Sequence, residues 1–119
     1  MTIDLTRRDA IRKLNDDLRT TLKGNVKISD DVQALGPTTL MEVVRAVQTH
    51  RFNKFDAYCE RDFGSFEVRG HRLLFEIHYY DLKGNYGFSD PSDPEKTIRV
   101  LHILERKAHV EPSQWRRAG

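Results

Sequence analysis

Residues 66–80 read FEVRGHRLLFEIHYY, and the alternation in this stretch decides the fold class. Phe66 and Val68 alternate with Glu67 and Arg69, and Leu73, Phe75, Ile77 and Tyr79 alternate on the way back. Between them Gly70-His71 offers a two-residue turn, so the pattern predicts a β-hairpin. With that turn Val68 opposes Leu73 and Phe66 opposes Phe75, which leaves one face consistently apolar.

Working outward, residues 97–105 carry a conflict. Asp93-Pro94-Glu95 is a helix-start signature, with Asp at the cap and Pro in the first turn. Against it, Thr97, Ile98, Val100 and Ile103 are β-branched, and the apolar positions 98, 100, 101, 103 and 104 spread over more than half of a helical wheel. The spread predicts a third strand, buried on both faces near its centre. Toward the N-terminus, Ile11, Leu14, Leu18 and Leu22 fall on one helical face behind Thr6 and Asp9, a capping-box pattern, which predicts a helix over 6–22. Lys23-Gly24-Asn25 is its stop, and Val26-Lys27-Ile28 alternates like a short strand. After the Gly36-Pro37 break, Thr39 with Glu42 makes a second capping box before Leu40, Val43, Val44 and Val47, predicting a helix over 39–50. An aromatic, charged linker over 50–64 then wraps the core. These elements predict an α+β domain in which two N-terminal helices pack on one face of a small antiparallel sheet of three to four strands.

A chain of 119 residues is one domain by size, expected to span 1–119 with flexible tails at 1–5 and 111–119. Charged residues make up 32%, yet apolar blocks recur, which places the chain among globular proteins. The absence of a long apolar run or a signal-peptide core leads to an expected cytoplasmic location with no membrane partner. The lone Cys59 excludes an internal disulfide and a cysteine zinc cage, and the neighbouring Glu60 opposes thiolate formation.

The stretch YYDLKGNYGFSDPSDPEKT, residues 79–97, concentrates most of the polar chemistry. Its Asp-Pro steps, serines and glycines each have a turn role. Its length and its aromatics mean that it either covers the core edge or forms a binding surface, the latter through Tyr79, Tyr80, Asp81, Tyr86, Asp90 and Asp93. An enzyme would draw on Glu60, Asp62, His78 and Asp81, a set suited to a divalent metal, but the spacing matches no ligand code; neither metal nor cofactor is expected. Asp62-Phe63-Gly64 repeats a kinase triplet without the other kinase elements, and no serine sits in a nucleophile-elbow context. Net charge is only +2, which gives no global field for nucleic acid. Locally, Arg106, Lys107, Arg116 and Arg117 around Trp115 form the one candidate nucleic-acid surface.

The series ERDFGSFEV, LLFEIHYYD and SDPSDPEKTIRVLHIL, after an early Leu14-Asn15-Asp16, resembles a bacterial family known as domain of unknown function 3768, over residues 10–105. The resemblance rests on Glu60, Asp62, Phe63, Gly64, Tyr79, Tyr80, Asp81, Asp90, Pro91, Asp93, Pro94, Thr97, Arg99, Val100 and Leu101. Arg61 stands where the family tends to place His, and the ERKAHV ending departs from an acidic-aromatic pair. The resemblance implies no activity. It implies a setting among plasmid and phage accessory genes, and hence a non-enzymatic protein that binds and inhibits a host defence or nucleic-acid-processing complex, in the manner of anti-restriction and anti-CRISPR factors. The alternatives are a small metal-dependent hydrolase or nuclease, and an RNA-binding toxin-like protein.

Overall fold

The computed structural model describes residues 5–57, 59–87 and 90–106. In chain order these form α1 (Thr6–Thr21), β1 (Asn25–Ile28), α2 (Asp30–Gln33), α3 (Pro37–Gln48), β2 (Phe63–Val68), β3 (His71–Tyr80) and β4 (Ile98–Glu105). The strands make one sheet in the order β1-β4-β3-β2. β2, β3 and β4 are antiparallel, but β1 runs parallel to β4, so the sheet is mixed rather than antiparallel. Parallel pairing needs a long return path, which α2, α3 and the hairpin supply between β1 and β4. For the same reason the helices are not an N-terminal pair: β1 separates α1 from α3, and the short α2 was not foreseen. Ser29 caps α2 by accepting from the Val32 N–H at 3.4 Å, a Ser-Asp-Asp start signal that the sequence does contain.

The hairpin turn falls one residue earlier in the chain than the sequence suggested. Arg69 and Gly70, both with positive φ (50° and 81°), are the turn, and Phe66 pairs with Leu73 while Gly64 faces Phe75. Two positive φ angles in succession give the turn whose twist matches the flanking strands. Moving the turn by one residue slips the pairing by two, so every side chain keeps its expected face.

Neither expected capping box closes. Leu5 and Gly36 occupy the cap positions without side-chain bonds, and each helix starts early enough to enclose Thr6 or Thr39. At Glu42 the carboxylate instead pairs with Arg69 of the hairpin turn. Left-handed backbone at the end of α1 falls on Leu22 (φ 57°) rather than Gly24.

Leu18, Val32, Val43, Val47, Val68, Leu73, Phe75, Ile77, Leu101 and Ile103 make one core between the helices and a single face of the sheet. The strand period of two places Glu76, His78 and Tyr80 on the opposite face, with Phe63, Val100 and His102 beside them. Among the described residues no helix covers that side. Gly64 lies under the linker: a Cβ there would sit 2.5 Å from Phe75 and 2.7 Å from His50. The rings of His50, Phe52 and Phe75 meet edge to face at 4.8–6.1 Å, so the linker does wrap the core. β4 is the predicted third strand, with Val100, Leu101 and Ile103 buried from both sides.

Candidate functional site

The chemistry collects at the end of the sheet where β3 leaves and β4 begins. Tyr80 pairs with Ile98 across the strands, and the chain returns so that Tyr86 bridges Tyr80 from the other side. The turn between them is built on Asp81. Its carboxylate accepts from the backbone N–H groups of Lys83 (2.9 Å) and Asn85 (2.8 Å) and from the Asn85 side-chain amide (3.2 Å). These bonds, with the Asn85 backbone foremost, hold the Asp81 carboxyl below the usual carboxylate range. A second turn repeats the device. Asp90 accepts from the N–H and hydroxyl of Ser92 at 3.1 and 2.7 Å, and Asp93 accepts from the Glu95 N–H at 2.9 Å. The Ser92 hydroxyl is the main cause of the lowered Asp90 pKa, with Arg7 contributing at 3.4 Å. Each aspartate bonds its own backbone two residues on, which explains why the Asp-Pro step makes turns and no helix. The Thr97 hydroxyl donates to the Asp90 carbonyl and ties this turn to the start of β4.

On the open face Tyr86, 61% exposed, lies edge-on to Tyr80 and to His78, with ring centroids 5.6 and 5.5 Å away. His78 bonds Glu76 through Nε2 at 2.9 Å and stacks at a tilt on His102, 4.5 Å off. Burial, and then the His78 and Lys27 charges, press the His102 pKa down.

Tyr79, one residue earlier, points the other way. Its hydroxyl accepts from the side-chain amide of Asn15 in α1 at 2.8 Å, and that amide also donates to the Glu60 carbonyl at 3.0 Å. Arg99 donates through Nε to the Asn15 carbonyl oxygen at 2.7 Å, through a second nitrogen to the Pro91 carbonyl, and its guanidinium lies over the Tyr79 ring. Asn15 is fully buried, and both N–H groups and the carbonyl oxygen of its side-chain amide are engaged. Burial pushes the Tyr79 hydroxyl up to about 12, against the Asn15 bond and with the Asp62 and Glu60 charges adding to it. Burial pushes the Arg99 pKa the other way, down from its ordinary value. Arginines fasten the linker to α1 around this cluster: Arg12 donates to the Asp56 and Cys59 carbonyls, and Arg61 and Arg19 share Asp16.

The structure therefore sorts the residues that sequence reasoning grouped. Of the candidate binding surface, Tyr80, Asp81, Tyr86, Asp90 and Asp93 occupy the strand-end turns and the open face, while Tyr79 is turned inward as a buried hydrogen-bond partner. Of the enzyme set, Glu60 and Asp62 act on Tyr79 on the helix side, His78 stands on the opposite face, and Asp81 is engaged in its own turn. The four do not converge, and among the described residues no group of three His, Cys, Asp or Glu could hold a metal ion. Arg106 closes β4, where its N–H bonds the Arg72 carbonyl. Lys107, Trp115, Arg116 and Arg117 lie outside the described residues, as do residues 1–4 of the expected tail at 1–5 and all of that at 111–119.

A sequence model for a protein family described as "Protein of unknown function (DUF3768)" matches residues 28–107, well over half of the chain. The chain belongs to the DUF3768 family. Comparison with curated proteins and with solved structures gives no match. The DUF3768 segment begins at the end of β1 rather than at residue 10, so it contains the sheet core, both aspartate turns, Tyr79 and Arg99, whereas Asn15 and the rest of α1 lie outside it. Asn15 is the residue that sequence reasoning missed. Its signal was a lone amide on the apolar side of the first helix, between Ile11 and Leu18.

Among the described residues no helix is long and apolar enough to cross a membrane.

Proposed function

We propose that this protein works by binding a protein partner rather than by catalysis, with the two aspartate turns and the Tyr80–Tyr86 pair as its contact surface. The specific form that the family resemblance suggests is an inhibitor of a host defence or nucleic-acid-processing complex, carried by a plasmid or phage. One observation carries the reading: Asp81, Asp90 and Asp93 each accept hydrogen bonds within their own turns and are thereby oriented, near the half-buried Tyr80 and the exposed Tyr86. Carboxylates fixed in advance lose little entropy when a basic partner meets them, and tyrosines supply anchoring area at low conformational cost. Charge of this kind sets specificity and on-rate, so salt should weaken the complex.

The test is affinity capture from a host or phage-challenged lysate, with wild type beside two variants. Asp81→Asn/Asp90→Asn/Asp93→Asn keeps the turn acceptors and removes the charge; Tyr80→Ala/Tyr86→Ala removes the anchors. The proposal expects a defence or nucleic-acid-processing complex on wild type and its loss from both variants, with melting temperatures close to wild type for the Asn variant. Capture of the same complex by all three proteins, or of none by wild type, overturns it.

A further inference from the structure

We propose a second binding site, a groove between α1 and the start of β4 that takes a peptide segment in which an apolar side chain is followed by a carboxylate. The groove, of about 440 Å³, exists because β1 is shorter than its neighbour. β1 pairs only with Val100–Ile103, so Ile98 and Arg99 have no strand beside them on that side. Across the gap stand Leu14, Leu18 and Thr21 of α1, with Leu82 and Pro94 from the two strand-end turns. The volume suits a pair of leucine-sized side chains, and the lining matches the composition of ligand clefts, mostly apolar with few polar groups.

The charges choose the occupant. Three ionisable side chains line the groove, Asp17, Lys23 and Arg99. Asp17 already pairs with Lys13 at 2.9 Å. Neither Lys23 nor Arg99 makes an ion pair among the described residues. Arg99 is half-buried, with its Nε and one Nη committed to Asn15 and the Pro91 carbonyl, which leaves the other Nη without a protein acceptor. Glu60 acts on this guanidinium only from beyond ion-pair distance, and a planar oxyanion is the partner that the open Nη fits. Asn15 fixes the guanidinium in place, so a carboxylate would meet an oriented fork. Leu82, 65% exposed on the rim, would pack on the apolar part of the peptide.

This site is independent of the aspartate turns in its charge preference, and so is its test. Backbone amide NMR spectra of the full chain would be followed while adding N-acetyl-Leu-Leu with a free carboxylate, the same dipeptide as its C-terminal amide, or decanoate. The acid form is expected to move the resonances of Leu14, Leu18, Leu82, Ile98 and Arg99 in a saturable way, with the amide weaker by about ten-fold or more, the scale of one charge-assisted bond. Lys23→Gln should weaken the acid form several-fold and leave the amide unchanged. Leu82→Glu, on an exposed rim position, should abolish binding while the rest of the spectrum is retained; Arg99→Gln is less suitable because it strips a buried partner from Asn15. Equal binding of acid and amide would reduce the groove to a bare apolar patch and overturn the proposal. So would tighter binding of decanoate than of the dipeptide, which would make it a lipid site, indifference to Leu82→Glu, or no shifts with any probe.

Discussion

Tyr79 and Tyr80 are neighbours in β3 and belong to opposite sides of the molecule. Tyr79 is enclosed by α1 and the linker, its hydroxyl bonded to Asn15 and its ring under Arg99. Tyr80 stands on the uncovered face, where its contact is another tyrosine from a turn. A strand turns consecutive side chains to opposite faces, so two identical residues acquire different work: one holds the fold, the other is available to a partner. The comparison predicts that changes around Tyr79 are read in stability and changes around Tyr80 in binding. Asn15→Ala is the strongest way to break it. That substitution leaves the Tyr79 hydroxyl, the Glu60 carbonyl and the Arg99 Nε without their common partner, and should cost about 3 kcal/mol in a urea or guanidinium unfolding curve. A loss below about 1 kcal/mol would mean that water replaces the amide without difficulty and that the helix side is no more built than the open face.

Gly64→Ala tests the same side at another point. The added methyl would meet Phe75 and the His50 ring at separations that real Cβ atoms do not tolerate, so strand or ring must shift, at about 1–3 kcal/mol. Burial and the Arg19 charge also depress the His50 pKa from 6.5, so this packing favours neutral histidine. Its contribution is present above that pH and is lost as pH falls through the depressed value, and Gly64→Ala should blunt this acid-side slope along with overall stability.

How much of this was readable beforehand follows from the range of the interactions involved. The alternation over 66–80 and the β-branched run from Thr97 are local patterns, and they yielded β3 and β4 with their inward faces. The turn missed by one residue because Arg69 takes a positive φ that its own chemistry does not favour; the pleat of the strands decided it, and Gly70 made only half of it easy. β1 was visible as Val26-Lys27-Ile28, but nothing local tells a short edge strand which way its neighbour runs, and so the mixed sheet was hidden. The capping boxes failed for a comparable reason: Glu42 finds the hairpin turn, and Pro37 can open a helix without the Thr39 hydroxyl. In the candidate site, the turn roles of Asp81, Asp90 and Asp93 were legible because an aspartate bonds its own backbone two residues later. The inward direction of Tyr79 was not, since its partner Asn15 lies 64 residues away.

A pH titration sharpens the contrast between the two tyrosines by a smaller amount. The Tyr79 hydroxyl is held up to about 12, against 10.0 in an unfolded chain. Its folded form therefore keeps the proton that the unfolded chain gives up. The stabilisation is complete below pH 10 and is lost as pH rises from about 10 to 12, and after discounting for partial solvent screening it is about 1–2 kcal/mol. Tyr79→Phe should remove this alkaline slope, and Tyr80→Phe should leave it as in wild type. Equal slopes in the two variants would mean that the two hydroxyls sit in equivalent surroundings, contrary to the strand geometry.

The smallest expected effect on stability is the one that separates turn chemistry from charge. At Asp81 three donors are satisfied by the carboxylate, and an asparagine carbonyl oxygen can accept from the same backbone groups. Asp81→Asn should leave the melting temperature at pH 7 unchanged, whereas Asp81→Ala should lower it, because the Lys83 and Asn85 N–H groups lose their acceptor. Acid distinguishes the two forms of the turn further. The carboxyl is depressed below 3.8, so its contribution is present above that pH and disappears as pH falls through the depressed value. Wild type should lose more stability than Asp81→Asn between pH 5 and pH 2, since the asparagine has no proton to gain. If Asp81→Asn melts like Asp81→Ala, the negative charge itself builds the turn, and a fixed carboxylate there is a structural requirement before it is a contact. If it melts like wild type yet no longer retains the partner, the charge at this strand end is free for recognition, whereas the Tyr79 hydroxyl is committed to Asn15.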